Sequence, residues 1–358
     1  MKKFSFLMAT VLAAGTLLAA CGGADDKTGT TGDYDGFKVG MVTDTGGVDD
    51  KSFNQSAWEG LTKFGQDFDI PEKDGYKYLQ SNNDADYQPN LKKLVRDGFD
   101  LSFGIGFLMA GDVKEVALQK PESKFAIVDM VVTDDEGNLI PNVANITFAE
   151  EQGSFLVGVV AGLHTKTNKV GFLGGVNFDL IKKFENGFKA GVKSVNPSAK
   201  IIVQYADSFV DVAKGQLIAN SMYSQGADII YHAAGGTGLG AFTEAKDRSK
   251  KGEEVWVIGV DKDQHQEGMP ENVTLTSMVK RVDNAVYDVS KKTKEGNFPG
   301  GQVLSYSLAD GGVGIAPTTD NVSEEALAKV EEYKQKIING EITVPKTDDE
   351  FEKSEFNK

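Results

Sequence analysis

From residue 37 onward, short runs rich in Val, Ile and Phe alternate with longer amphipathic stretches. The runs at 37–42, 101–106, 125–128, 143–148, 170–174, 201–205, 229–232 and 255–260 are expected strands. The stretches near 53–68, 89–97, 112–118, 152–163, 181–195, 212–224 and 241–249 are expected helices. Apolar strands separated by helices bury both faces only in parallel sheets with helices on either side, so the fold class is α/β, doubly wound. About 320 residues follow residue 37, more than a single core usually holds, and two lobes are therefore expected.

The N-terminus bears on location. Lys2 and Lys3 precede an uncharged stretch from 4 to 20, the pattern of an export signal. A spanning helix needs about 20 apolar residues with suitable flanks. This stretch runs instead into small residues and Cys21, so cleavage is expected and residues 1–20 are a signal peptide. Leu18-Ala19-Ala20-Cys21 resembles the bacterial lipobox, in which the cysteine becomes the new N-terminus and carries the lipid. Cys21 is the only cysteine, which leaves none for an internal disulfide, catalysis or metal. Residues 22–36 are Gly, Asp, Thr, Lys and one Ala, with Tyr34 as the one large apolar side chain, a composition that cannot bury a core and suits a flexible tether.

Loss of residues 1–20 removes Lys2 and Lys3 and takes the formal charge from −15 to −17. So acidic a body repels nucleic acid and anionic headgroups, so no nucleic acid is expected as partner and membrane contact should come through the anchor. The short basic signal with a lipid anchor suits the extracellular face of a Gram-positive cell membrane, and a monomer is expected.

Ligands of open parallel sheets sit beyond the carboxyl ends of the strands. Here the first strand is followed by Thr43-Asp44-Thr45-Gly46-Gly47-Val48-Asp49-Asp50-Lys51-Ser52-Phe53-Asn54-Gln55. Asp129 follows the run 125–128, Ala233-Ala234-Gly235-Gly236-Thr237-Gly238 follows 229–232, and Asp261 follows 255–260. With Glu151-Gln152-Gly153-Ser154-Phe155-Leu156-Val157-Gly158 and Phe184-Glu185-Asn186-Gly187-Phe188, these segments resemble the basic membrane protein family of lipoproteins, and within it the purine nucleoside receptor A type, over nearly the whole mature chain.

The resemblance implies a type I periplasmic-binding-protein fold of two α/β lobes with three crossovers and a nucleoside in the cleft. The first lobe would take 37–148 plus 277–306, the second 149–276 plus 307–350, and 351–358 would be a C-terminal tail. It also implies delivery to an ABC transporter permease, with no cofactor, no metal and no chemical conversion.

A nucleoside presents a flat base and a ribose with vicinal hydroxyls, so its pocket needs stacking rings and fixed polar groups. The resemblance makes Asp261 the acceptor of two ribose hydroxyls, with Lys280 assisting. Gly235 and Gly236 let backbone N–H groups approach a ligand with no Cβ in the way. Asp129 and Asn54 can bond a base edge. Asp50, like Asp49, can either cap the following helix or face the ligand. Phe53, in a polar loop, is the expected stacking ring. The second ring stays open among Phe178, Phe209 and His232, whereas Phe184 and Phe188, at helical spacing, are expected in the core.

Rival readings are weaker. Gly236-Thr237-Gly238-Leu239-Gly240-Ala241 fits the dinucleotide pattern, with Asp261 about 20 residues on, but no hydride-transfer constellation accompanies it. His164, His232 and His265 lack metal-ligand spacing, and no serine sits in a G-x-S-x-G elbow. A repressor of the same fold would carry a basic DNA-binding segment. The main alternative is a lipoprotein of the same fold that binds a sugar or another small polar solute.

Overall fold

The computed structural model describes residues 36–357. The expected signal, Cys21 and the tether up to residue 35 lie outside them. The first sheet takes β1 (Val39–Val42), β2 (Tyr76–Leu79), β3 (Leu101–Ile105), β4 (Lys124–Val128) and β5 (Val143–Phe148). The second takes β6 (Lys169–Gly174), β7 (Lys200–Tyr205), β8 (Ile229–Ala233), β9 (Trp256–Asp261) and β10 (Thr274–Lys280). The chain then returns to the first sheet for β11 (Val303–Tyr306) and to the second for β12 (Val313–Ile315). Between and after them lie α1 (Phe53–Asp67), α2 (Tyr87–Arg96), α3 (Ala110–Gln119), α4 (Glu150–His164), α5 (Asp179–Val195), α6 (Val212–Ser224), α7 (Leu239–Ser249), α8 (Val282–Lys294), α9 (Glu324–Ile338) and α10 (Asp348–Lys353).

The strand orders are β11-β5-β4-β3-β1-β2 and β12-β10-β9-β8-β6-β7. Every pairing is parallel except β10 with β12. In each sheet the order reverses beside the first strand, and open α/β sheets bind ligands in the crevice at such a reversal. All five residues of β3 are buried, as a central strand covered on both faces requires.

Three passages join the sheets: from β5 into α4, from β10 into α8, and from β11 to β12. This is the type I periplasmic-binding-protein arrangement. The motifs 151–158 and 184–188 lie on α4 and α5, whose backbones nearly touch. A Cβ on Gly187 would stand 2.2 Å from the Glu151 carbonyl oxygen, and one on Gly191 2.0 Å from that of Phe155.

The structure corrects two boundaries. Residues 277–280 belong to β10 and pair within the second sheet, so the chain enters the first lobe after Lys280 rather than at 277. The expected C-terminal tail is packed, not free: Phe351 and Phe356 are buried, and Phe356 meets Phe155 edge-on at 5.5 Å. The edge strand β2 escaped the sequence reading because its Lys77 and Tyr78 interrupt the apolar run, as suits a half-buried edge.

Candidate functional site

The carboxyl ends of the strands from both sheets surround one cavity of about 580 Å³, counted out to its mouth. Asp50, Phe53, Asn54, Asp129, Phe209, Gly235, Gly236, Asp261 and Lys280, all singled out from sequence, line it. So do Asp44, Phe107, Leu180, Ile181 and Phe184, which were not. Asp44 stands two residues past β1, and Phe107 two residues past the end of β3. Phe184 is a correction of emphasis: it is buried as a core residue would be, yet its ring faces the cavity. Phe188 is fully buried, as expected.

Asp50 and Asn54, besides lining the cavity, hold its loop together. Asp50 accepts from the backbone N–H groups of Ser52, Asn54 and Gln55 at 2.9, 2.8 and 3.1 Å, which satisfies the open start of α1. Asn54 spends its amide inside the loop: Nδ2 donates to Asp44 Oδ1 (2.7 Å) and Asp50 Oδ2 (3.0 Å), while Oδ1 accepts from the Asp44 N–H (3.2 Å). Asn54 therefore braces Asp44 while lining the cavity, with one lone pair of its Oδ1 not taken up. Asp44 Oδ2 has no hydrogen bond among the described residues and lines the cavity.

The three candidates for a second ring separate cleanly. His232 is fully buried behind the cavity; its Nε2 pairs with Gln264 Oε1 at 2.9 Å, and its ring meets Phe242 edge-on. Burial holds the imidazole down, at a pKa of about 4. The structure thus removes His232 from the ligand set. Phe178 is partly exposed and stacks on Phe107 across the mouth, with ring centroids 4.6 Å apart and planes 8° from parallel. Phe209 alone of the three lines the cavity.

Asp129 and Asp261 both adopt left-handed backbone, at φ 71° and 64°. Such conformations cost little only for Gly, Asn and Asp among ordinary residues, which restricts what can end these strands. Asp261 Oδ2 accepts from Ser52 Oγ of the opposite lobe at 2.5 Å. Lys280 Nζ lies 2.5 Å from Asp129 Oδ2 and 3.4 Å from Glu150 Oε1, and the rings of Phe53, Phe148 and Phe184 stand 5.0, 5.1 and 5.5 Å from it. Burial alone would pull the Lys280 ammonium down, but Asp129, Glu150 and Asp261 outweigh it and hold it above the ordinary lysine value. Burial pushes the carboxyls of Asp44, Asp129 and Asp261 up to about 6; Lys280 opposes the rise at Asp129 and Asp261. Asp129 Oδ1 is buried without a partner.

The cavity thus offers rings, acceptors and one buried cation. No group of His, Cys, Asp and Glu among the described residues could hold a metal ion. The model of the Bmp family, described as ABC transporter substrate-binding protein PnrA-like, matches residues 37–348. The chain belongs to the Bmp family. That family is one of ABC transporter substrate-binding proteins and not an enzyme class.

This Bmp chain is 54% identical to the CD4+ T-cell-stimulating antigen of Listeria innocua, over 96% of this chain and 99% of the relative. It is 42% identical to the ABC transporter nucleoside-binding protein BmpA of Lactococcus lactis, again over 96% and 99%. Among solved structures, a solute-binding protein of an ABC transporter system from Aeropyrum pernix superposes with a TM-score of 0.76 at 27% identity, covering 88% of this chain and 95% of that one. No described helix is long and apolar enough to cross a membrane.

The buried carboxyls give the Bmp protein an expected pH signature. Their folded pKa values of about 6 exceed the ordinary 3.8, so the folded state holds more protons and stability rises as pH falls from 7 towards 5. His232 opposes this, because an imidazole lowered from 6.5 to about 4 is protonated first in the unfolded chain. Three carboxyls against one imidazole leave a net rise. A ligand-free melting temperature higher near pH 5.5 than near pH 7.5 is expected by calorimetry; a fall over that range would contradict the burial of these groups as ions.

Proposed function

We propose that this protein captures a nucleoside, purine in preference, between its lobes and hands it unchanged to an ABC permease. The observation that carries this is the pairing, in one cavity, of Phe53 and Phe209 from opposite lobes with Asp261 and Lys280. Two rings suit the faces of a base, and a buried carboxylate with an adjacent ammonium suits vicinal hydroxyls. The unpartnered acceptors Asp129 Oδ1 and Asp44 Oδ2 suit N–H donors on a base edge. The PnrA-like description of the family model and the name of the Lactococcus relative support the same ligand class. A sugar or other small polar solute would use the acceptors but leave most of the ring surface uncovered.

A ligand panel read by thermal shift tests the reading. A nucleoside at about 100 times its Kd should stabilise the folded state by roughly 2.7 kcal/mol. Nucleotides should do far less, since their phosphate would meet Asp44, Asp129 and Asp261 with Lys280 as the one cation lining the cavity. No shift with any nucleoside, or release of free base on long incubation, would overturn it.

The same proposal places the protein as a monomer on the extracellular face of the cell membrane, anchored through lipid on Cys21. Leu18-Ala19-Ala20-Cys21 and the acidic body support this. Cys21→Ala is expected to release the protein from membranes or to stall its processing, as fractionation would show. A Cys21→Ala protein that is processed normally and still sediments with membranes would mean that the lobes hold it there.

A further inference from the structure

The start of α4 carries a sequence motif that no ligand contact explains, and its first residue, Glu150, is a fully buried carboxylate. Glu150 does not line the cavity. Its Oε2 accepts from Lys183 Nζ at 3.1 Å, and its Oε1, without a hydrogen-bond partner, is aimed at Lys280 Nζ 3.4 Å away. The segment around it is pinned. Gln152 Oε1 accepts from the Leu308 N–H at 3.1 Å, at the third passage between the lobes, and Ser154 Oγ meets Tyr231 OH at 3.0 Å.

We propose that Glu150 is the positioning residue for Lys280, holding its ammonium towards the ligand whether the lobes are apart or together. This rests on the nucleoside reading above. Glu150 and Lys280 stand at two of the three passages between the lobes. Points near a hinge change their separation least when lobes rotate, so this pair persists through the motion. Asp129, the other partner of Lys280, comes from the first sheet and is also a group a ligand would compete for. The rings of Phe53, Phe148 and Phe184 attract the ammonium but do not fix its direction. The localised charge of the Glu150 carboxylate, 3.4 Å away, does.

The groups that face Lys280 are Asp129 from the turn after β4, Glu150 from α4 and Asp261 from the end of β9, with Lys183 of α5 on the far oxygen of Glu150. Glu150→Gln keeps the shape and removes the charge. It is expected to weaken inosine binding about tenfold or more, the scale of losing one charged partner. The loss of affinity at alkaline pH should begin at lower pH, because Lys280 becomes neutral earlier.

Calorimetry on wild type, Glu150→Gln, Lys280→Met and the double variant decides the matter. Non-additive losses, with Glu150→Gln costing nothing further once Lys280 is methionine, are expected; equal losses in both backgrounds would overturn the proposal. A readout free of ligand separates this from the functional reading. In the ligand-free full chain with isotope-labelled lysine, the Lys280 signal should titrate at lower pH in Glu150→Gln, and an unchanged titration overturns the proposal even if inosine binds. If the titration moves but no nucleoside binds wild type, the functional reading fails while the Glu150–Lys280 coupling stands. Should Glu150→Gln not fold, Lys183→Met removes the competing cation and should move that titration upward; no movement would equally overturn it.

Discussion

Asp261→Ala is expected to weaken nucleoside binding by two to four orders of magnitude and to abolish discrimination against 2′-deoxy ligands. Two buried hydroxyls left without an acceptor cost about 1–3 kcal/mol each. The substitution also removes the partner of Ser52 Oγ, a contact that joins the lobes across the cavity at 2.5 Å. Part of any loss could come from backbone, since φ at this position is 64° and alanine tolerates it less well than aspartate. Asp261→Asn separates the two effects, because asparagine accepts left-handed backbone but lacks the charge and half of the acceptors. Calorimetry with adenosine and 2′-deoxyadenosine on both variants should show a loss for each, larger for alanine. Alanine binding both ligands as wild type does would remove Asp261 from ribose recognition.

Lys280→Met is the second large effect, and it falls on stability as well as binding. Lys280 is fully buried among Asp129, Glu150 and Asp261, and removing one partner of a buried pair typically costs about 3–5 kcal/mol. The cost should depend on pH in a defined direction. Without the ammonium, the carboxyls of Asp129 and Asp261, already near 6, rise further. A carboxyl raised in the folded state adds stability as pH falls through that value, so the defect should be largest near pH 8 and mostly recovered near pH 5. Urea unfolding at the two pH values measures it. An equal loss at both would mean that lost packing, not uncompensated charge, is what the substitution removes.

Much of this protein was legible as sequence. The α/β architecture followed from apolar runs and amphipathic stretches, because a parallel sheet buried on both faces tolerates few polar residues. Asp129, Asp261 and the glycines 235 and 236 were legible because the carboxyl ends of parallel strands converge on the crevice whatever the details of packing. Phe53 stood out because a ring in a polar loop lacks the ordinary reason to be there. By contrast β2, β11 and β12 are edge strands, and the interior strand β10 mixes Thr, Ser and Lys with its apolar residues, so their periodicity was too faint to place the second boundary.

Other assignments needed the folded chain, because they count partners across long separations. Asn54 looks free in the sequence, yet Asp44 and Asp50 take both N–H donors of its amide and one of its acceptor sites. His232 ends a strand as a ligand residue would, yet Gln264 and Phe242 enclose it. Phe178 and Phe209 follow strands of the second sheet alike, and Phe107 meets both, stacking on Phe178 and standing edge-on to Phe209, yet only Phe209 lines the cavity. The sequence by itself determined which strand ends carry polar groups, since that is a local pattern. Which of those groups keep a free valence for a ligand was decided by tertiary structure alone: Asp129, Glu150 and Lys280 lie up to 151 residues apart in the chain, and only the folding of two lobes onto one hinge brings them within reach of each other.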